Sequence, residues 1–429
     1  MKKTLLSLLI LWPVLVPAQF VNVLIDGDPG DYPPSEPSIA INPRNPNQLV
    51  AGAILDRAYY SSDGGLVWQK QTLASSYGVF GDPCIVADRK GHFYFLHLSN
   101  PESSNWASDR LLDRIVCQHS ADGGRTWSDG GYMGMRHPKD QDKQWAVAHP
   151  RKRRLYATWT EFDQYESADP ADRSRILFSQ SRDRGATWSE PLVISQYEGD
   201  CLDGDQTTEG AVPAVGPGGE LYVAWSWNKK IYFDRSSDGG KTWLGEDIVV
   251  ADQPGGWTFD VPGIMRCNGM PVLVCDLSPG PHRGRLYVHW ADQRHGTHDT
   301  DLWLAHSDDR GATWSTPRRM NDDAPGKQQF FSWITIDPTT GYLYTVFYDR
   351  RNYDDLRTDV WLAWSCDGGE TFTNVKISRE PFTPDEQYFF GDYSNISAYD
   401  GHIRPIWTRM VDGQTSIWTA LIEQADLEK

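Results

Sequence analysis

From residue 20 to the end, the chain is a succession of short apolar runs in which hydrophobic and polar positions alternate with period two. The runs are rich in β-branched and aromatic residues and are separated by Gly, Pro, Asn and Asp. That alternation predicts half-buried strands, and no stretch carries the 3.6-residue period of a long helix. The runs group into units of four. Each unit opens on a polar residue before an apolar strand, turns, and continues into a second strand such as Leu221-Tyr222-Val223-Ala224-Trp225 or Leu286-Tyr287-Val288-His289-Trp290. A third and a fourth strand follow. Seven innermost strands are predicted, at 37–43, 83–88, 144–150, 211–217, 271–277, 332–338 and 393–399.

The turn between third and fourth strands is written six times as Ser-x-Asp-x-Gly-x-Thr-Trp/Phe. It begins at Ser61, Ser120, Ser181, Ser236, Ser307 and Ser365, and Val67 replaces the Thr in the first copy. Its Ser hydroxyl and Asp carboxylate can bond local backbone N–H groups, its Gly permits positive φ, and its closing aromatic plugs the space between units. Successive Asp residues of this motif lie 59, 61, 55, 71 and 58 residues apart, a spacing that suits seven units rather than six. The seventh unit has only three strands of its own, at 393–399, 403–408 and 416–422. The strand at 20–26 is placed to complete it and close a ring.

The octapeptide is the Asp-box, or BNR repeat, and the chain resembles the sialidase-like β-propellers that carry it. The resemblance implies an all-β propeller of four-stranded blades. Seven blades are counted here; the alternative is the six-bladed sialidase ring.

Residues 1–18 read as a secretory signal peptide. Lys2 and Lys3 precede an apolar stretch at 5–16, and Val16-Pro17-Ala18 forms a small-residue cleavage site before Gln19. The remainder, 19–429, is expected to be one domain, monomeric, without a membrane span, and secreted or periplasmic. The net charge of −17 disfavours nucleic acid and anionic membranes as partners. In an exported protein the six cysteines permit disulfides. Cys84 and Cys275 lie in the most apolar strands and are expected as buried thiols. Cys201 and Cys267, in loops before successive inner strands, are expected to pair.

A propeller gathers two sets of residues on the face opposite the octapeptides. Those before the inner strands are Glu36, Asp82, Asp142 with Lys143, Glu209, Asn268, Gln328 and Asp392 with Tyr393. Those after the second strands include Arg57, Glu161, Asn228, Asp292 with Arg294, Asp349 with Arg350 and Arg351, and Arg409. So many ionisable groups at one funnel make it the expected binding site.

The sialidase resemblance implies a Tyr nucleophile assisted by a Glu, an Asp acid and a cluster of Arg around a sugar carboxylate. Carried over, Tyr393 is the nucleophile, Glu36 or Glu209 its base and Asp299 the acid. Arg294, Arg350 and Arg409 hold the substrate, with Arg57 and Asp82 beside them. Two departures stand out: the Arg-Ile-Pro motif is replaced by Glu36-Pro37-Ser38-Ile39-Ala40, and no Glu is followed one hairpin later by a pocket Arg, since the strand after Glu209-Gly210 ends Trp225-Ser226. Asp349-Arg350-Arg351 also repeats the Asp292–Arg294 arrangement one blade later. The repetition fits an Arg–Asp brace of a hairpin equally well.

The expected function is exo-acting hydrolysis of an acidic sugar, with an acidic glycan as partner. The alternatives are a non-catalytic glycan- or protein-binding propeller and a lyase or hydrolase of uronic-acid polysaccharides. Convergence of two or more Arg would mark the hydrolase, and Arg salt-linked one by one would mark the binder. No cofactor is expected, although Asp200, Asp203 and Asp205 share an acidic loop that could hold Ca²⁺.

Overall fold

The computed structural model describes residues 20–102 and 110–429; the predicted signal peptide lies outside them. Seven four-stranded antiparallel sheets stand in a ring, making a seven-bladed β-propeller. Six blades are built from consecutive strands. The seventh joins Asn395–Tyr399, His402–Val411 and Gln414–Glu423 to the N-terminal strand Val21–Asp26, which pairs outermost, Val21 opposite Leu421 and Leu24 opposite Trp418. The N-terminal strand thus closes the ring by covering the outer edge of the seventh blade's third strand.

The innermost strands are Ser38–Ile41, Cys84–Ala87, Asp140–Ala148, Glu209–Val215, Val272–Cys275, Gln329–Ile336 and Asn395–Tyr399. Their apolar side chains face a channel of about 970 Å³. At its other end three rings from blades three, six and seven close it off. Trp145 packs on Trp333 at 4.2 Å and edge-on to Tyr393 at 5.2 Å between centroids.

All six octapeptides share the Ser bonds to Asp and Gly, and five of them add a Thr hydroxyl bond that Val67 denies the first. In the fourth blade Ser236 Oγ donates to Asp238 Oδ1 (2.8 Å) and accepts from Gly240 N (2.9 Å), while Thr242 Oγ1 donates to Asp238 Oδ2 (2.7 Å). Gly240 has φ +85° and passes so near the previous blade that a Cβ would lie 2.3 Å from the Phe178 ring. Trp243 closes the unit edge-on to that same ring, at 5.0 Å. The turn therefore serves as a spacer between blades. Ser120 makes the equivalent pair, to Asp122 Oδ1 and from Gly124 N, both at 2.9 Å, and is buried. Ser120→Ala orphans the Gly124 N–H and is expected to lower stability by about 1–2 kcal/mol, read as a shift of the denaturant midpoint with unchanged slope.

All six cysteines are free thiols, so the expected Cys201–Cys267 disulfide is absent. The two face different blades. Cys201 lies against the backbone of Asp163 and Gln164 in the third, and Cys267 against the backbone of Phe331 in the sixth. Cys84 and Cys275 are buried, as their strands suggest, and burial pushes each thiol up to about 12.

Candidate functional site

The site begins with how the inner strands are entered. Glu36, Asp82 and Lys143 have φ of +53°, +49° and +52° at the openings of the first three blades. Pro37 and Pro83 follow the first two, and a bulge between Asp142 and Trp145 accompanies the third. Left-handed backbone at a non-glycine residue costs on the order of 1–3 kcal/mol and is maintained where the surroundings over-determine it. Here it brings all three side chains into one cleft of about 1030 Å³ on the face opposite the octapeptides. Asp142, Tyr165 and Arg266 share the cleft wall, and Tyr32, Phe80 and Phe389 give it aromatic surfaces.

The charges form one network across four blades. Lys143 Nζ lies 2.7 Å from Asp392 Oδ2 and 3.8 Å from Asp82 Oδ2. Arg266 grips the same Asp392 carboxylate through Nε (2.8 Å) and a terminal nitrogen (2.5 Å) and reaches Asp203 at 3.2 Å. Asp203 also accepts from the Tyr165 hydroxyl (2.9 Å) and Trp257 Nε1 (3.1 Å). The Asp392 N–H donates to Glu36 Oε1 (3.1 Å), and Asn268 Nδ2 donates to the Asp392 carbonyl (3.0 Å).

This arrangement splits the carboxyl groups by protonation state. Burial, then the negative charge of Asp82, pushes Asp142 up to about 8. Burial, with Asp82 and Asp392 behind it, raises Glu36 well above the carboxylate range. For Asp392 burial acts in the same direction, but Lys143 and Arg266 outweigh it and hold the group below its ordinary value. At neutral pH the cluster therefore holds a protonated Asp142 beside an ionised, doubly paired Asp392, with Glu36 shifted in the same direction as Asp142. Environments that push neighbouring carboxyls apart are what acid–base chemistry requires.

The residues singled out from the sequence fare differently. Glu36 and Asp82 meet in this cleft. Tyr393 lies directly behind it, but its hydroxyl is buried and has no hydrogen-bond partner. Glu209 is also fully buried, with Oε1 unpartnered and Thr160 Oγ1 3.4 Å from Oε2. Asp299 is in neither place; it sits with His295 and Asp301 on the fifth blade.

The four expected arginines do not converge. Arg294 is forked onto Asp292, at 2.9 Å through Nε and 2.5 Å through a terminal nitrogen, with its guanidinium 3.9 Å over Trp303. One blade on, Arg351 does the same with Asp349 (2.7 Å) and Trp361 (4.0 Å). The repeated motif is a hairpin brace. Arg350 is buried, donates to Thr358 Oγ1 (3.0 Å) and the Pro262 carbonyl (2.7 Å), and is pulled down to about 10 by burial. Arg409 lines a separate cleft of about 810 Å³ and lies 3.8 Å from Glu380. Arg57 bonds the Ile54 carbonyl (2.8 Å) and approaches Asp26 (3.3 Å). Hairpin tips beyond the second strands lie one strand out from the axis, and their arginines find partners there, from the same tip for Arg294 and from neighbouring segments for Arg57 and Arg409.

The three acidic-loop residues also spend their oxygens separately. Asp200 accepts from Thr207 Oγ1 (2.7 Å), Asp203 joins the network above, and Asp205 pairs with Lys229 (3.2 Å). Arg266 and Tyr165 are the site residues that the repeat pattern does not reveal. Arg266 belongs to an insertion carrying the two-stranded ladder of Thr258–Phe259 and Cys267–Asn268. Its only trace in the sequence is the 71-residue interval between Asp238 and Asp309, the longest of the five.

No family model matches the chain. Among solved structures it is similar to an ulvan lyase bound to a glucuronic acid–sulfated rhamnose glycan. That pair has a TM-score of 0.57 at 12% identity, over 94% of this chain and 96% of that one. An α-L-arabinofuranosidase from Fusarium graminearum follows at TM-score 0.51 and 11% identity, over 96% of this chain and 99% of that one. A Hadza microbial sialidase follows at TM-score 0.50 and 14% identity, over 88% and 73%. At such identities the likeness is one of fold alone, and this chain's version of it is a seven-bladed β-propeller.

Proposed function

We propose that this propeller hydrolyses a glycosidic bond of a neutral glycan in the cleft around Lys143, with Asp142 as proton donor and Asp82 as the opposing carboxylate. The observation that carries the reading is the pairing of a protonated carboxyl and an ammonium-supported carboxylate on one cleft wall. Asp142 gives its proton to the glycosidic oxygen as the C–O bond breaks. Asp82 supports the oxocarbenium-like centre or takes the proton of the attacking water, and Lys143 steadies its charge. Tyr32, Phe80 and Phe389 offer apolar faces for sugar rings. The named activities of the similar structures, on ulvan, arabinofuranosides and sialosides, agree with a carbohydrate ligand.

A neutral glycan is preferred to an acidic one because the cationic groups are already engaged. Lys143 and Arg266 share Asp392, Arg57 and Arg294 pair with Asp26 and Asp292, and Arg350 and Arg409 do not line this cleft. The second reading is a non-catalytic binder, and the salt links of Arg294 and Arg351 to Asp292 and Asp349 favour it. The reading takes the protein as exported, one domain and monomeric, in keeping with the segment at 1–18.

Turnover on matched panels of neutral and acidic oligosaccharides decides between them. Cleavage of a neutral glycan, lost in Asp142→Asn, supports the proposal. Cleavage of acidic substrates alone, or glycan binding without any turnover, overturns it. Tyr393→Phe separates this mechanism from a tyrosine nucleophile. Removing an unpartnered buried hydroxyl is expected to leave kcat within about twofold and stability equal or higher by up to about 1 kcal/mol. A collapse of kcat would restore Tyr393 to the chemistry.

A further inference from the structure

We infer that the fifth blade carries a site for a borderline divalent cation of the Zn²⁺ or Co²⁺ type, held by His295, Asp299 and Asp301. One ligand atom from each of these residues lies within 4.8 Å of the other two. Asp301 opens the third strand of the blade and is fully buried. Its Oδ1 is held by Arg319 Nε (2.5 Å) and Asn321 Nδ2 (2.7 Å), which aims Oδ2 at His295 Nδ1, 2.7 Å away. Oriented carboxylates of this kind are how outer partners prepare a ligand set.

The decisive group is Asp299. It is 7% exposed, and its Oδ1 is buried with no hydrogen-bond partner. A carboxylate oxygen shut away from water without a donor is costly, and a cation supplies what is missing. The repeat provides an internal control. In the sixth blade Asp359 occupies the position of Asp301, and Tyr353 caps it through a hydroxyl at 2.9 Å, as His295 caps Asp301. Two residues before Asp359, in the place of Asp299, stands the exposed Arg357, paired with Asp355. The brace of the sixth blade therefore needs no acid at this point; the fifth blade adds one, together with an imidazole.

One imidazole nitrogen and two carboxylate oxygens suit a borderline ion better than the all-oxygen shell that Ca²⁺ or Mg²⁺ takes. On binding, the ring carries its proton on Nε2 and gives the Nδ1 lone pair to the metal, with ligand distances closing to about 2.0–2.2 Å. His295 is half-exposed, so a fourth position faces solvent. Arg319 opposes the added charge, but it is also paired with Asp323 at 3.1 Å. The site stands on its own observations and does not depend on the chemistry proposed for the cleft.

The test is titration of the chelator-stripped full-length protein with Zn²⁺ by calorimetry, and with Co²⁺ by visible absorption. One equivalent of Zn²⁺ is expected, with a rise in melting temperature at saturation and d–d bands from Co²⁺. His295→Ala and Asp299→Asn should each weaken the affinity at least about tenfold and abolish the rise. His295→Ala also uncaps the buried Asp301 Oδ2, so the rise of each variant is read against its own metal-free melting temperature. Unchanged affinity in both variants, or no binding of either ion to the wild type, overturns the assignment.

Discussion

Asp142→Asn is expected to lower kcat on the cleaved glycan by about 10³-fold, within the range by which a positioned general acid contributes. The amide keeps the shape of the side chain and can still accept the Lys143 N–H, which reaches Asp142 Oδ1 at 2.7 Å. It has no proton to give the leaving oxygen. The wild type should lose activity as pH rises through about 8, where Asp142 ionises, and Asp142→Asn should show no such limb. Glycosides whose leaving group departs without a proton should be affected least. A variant with wild-type kcat and an unchanged alkaline limb would sink the assignment.

The same group makes a statement about stability, with a definite sign. The native state holds the Asp142 proton up to about pH 8, whereas the unfolded chain releases it near 3.9. Between those values the native state binds one more proton, so this group's contribution declines as pH rises from about 4 to 8 and is level above. Asp142→Asn removes that slope and should be more stable than the wild type at alkaline pH. Loss of turnover with gain of stability is the signature of a strained functional carboxyl.

Lys143→Met is expected to cost about 3–5 kcal/mol, because removing one partner of a buried ion pair leaves the other uncompensated. The Lys143 side chain is 4% exposed and that of Asp392 is 3% exposed. Burial by itself disfavours the ammonium, and only Asp392, Asp82 and Asp142 raise it well above its ordinary value. Without it Asp392 keeps Arg266 alone, while Glu36, Asp82 and Asp142 face one another with no cation among them. Urea unfolding should show a lower midpoint with the same slope; a loss under about 1 kcal/mol would mean the charges relax into water. Arg266→Met should be milder, since that side chain is 43% exposed.

Much of this protein is legible in its residues. The octapeptides mark six blades, the incomplete seventh unit calls for the N-terminal strand, and the polar openings before the inner strands mark the face that carries the charged cleft. Glu36, Asp82, Asp142, Lys143 and Asp392 were visible that way because strand entrances lie next to the propeller axis. The arginines were misjudged for the complementary reason. A position after the second strand is farther out, and whether its side chain crosses to the axis or turns back onto an acid such as Asp292 depends on side-chain direction.

Period-two patterning and a repeated turn are local properties, so blade number, ring closure and the polarity of the two faces follow from sequence alone. Protonation states, the burial of the Tyr393 hydroxyl, the unpaired Cys201 and Cys267, and the arrival of Arg266 and Tyr165 at the cleft were decided only by the tertiary structure. They depend on distances between residues far apart in the chain and on how much water each group keeps. Lys143 and Asp392 are 249 residues apart, yet their atoms meet at 2.7 Å. No local pattern encodes such a distance, because it is set by seven sheets closing around one axis.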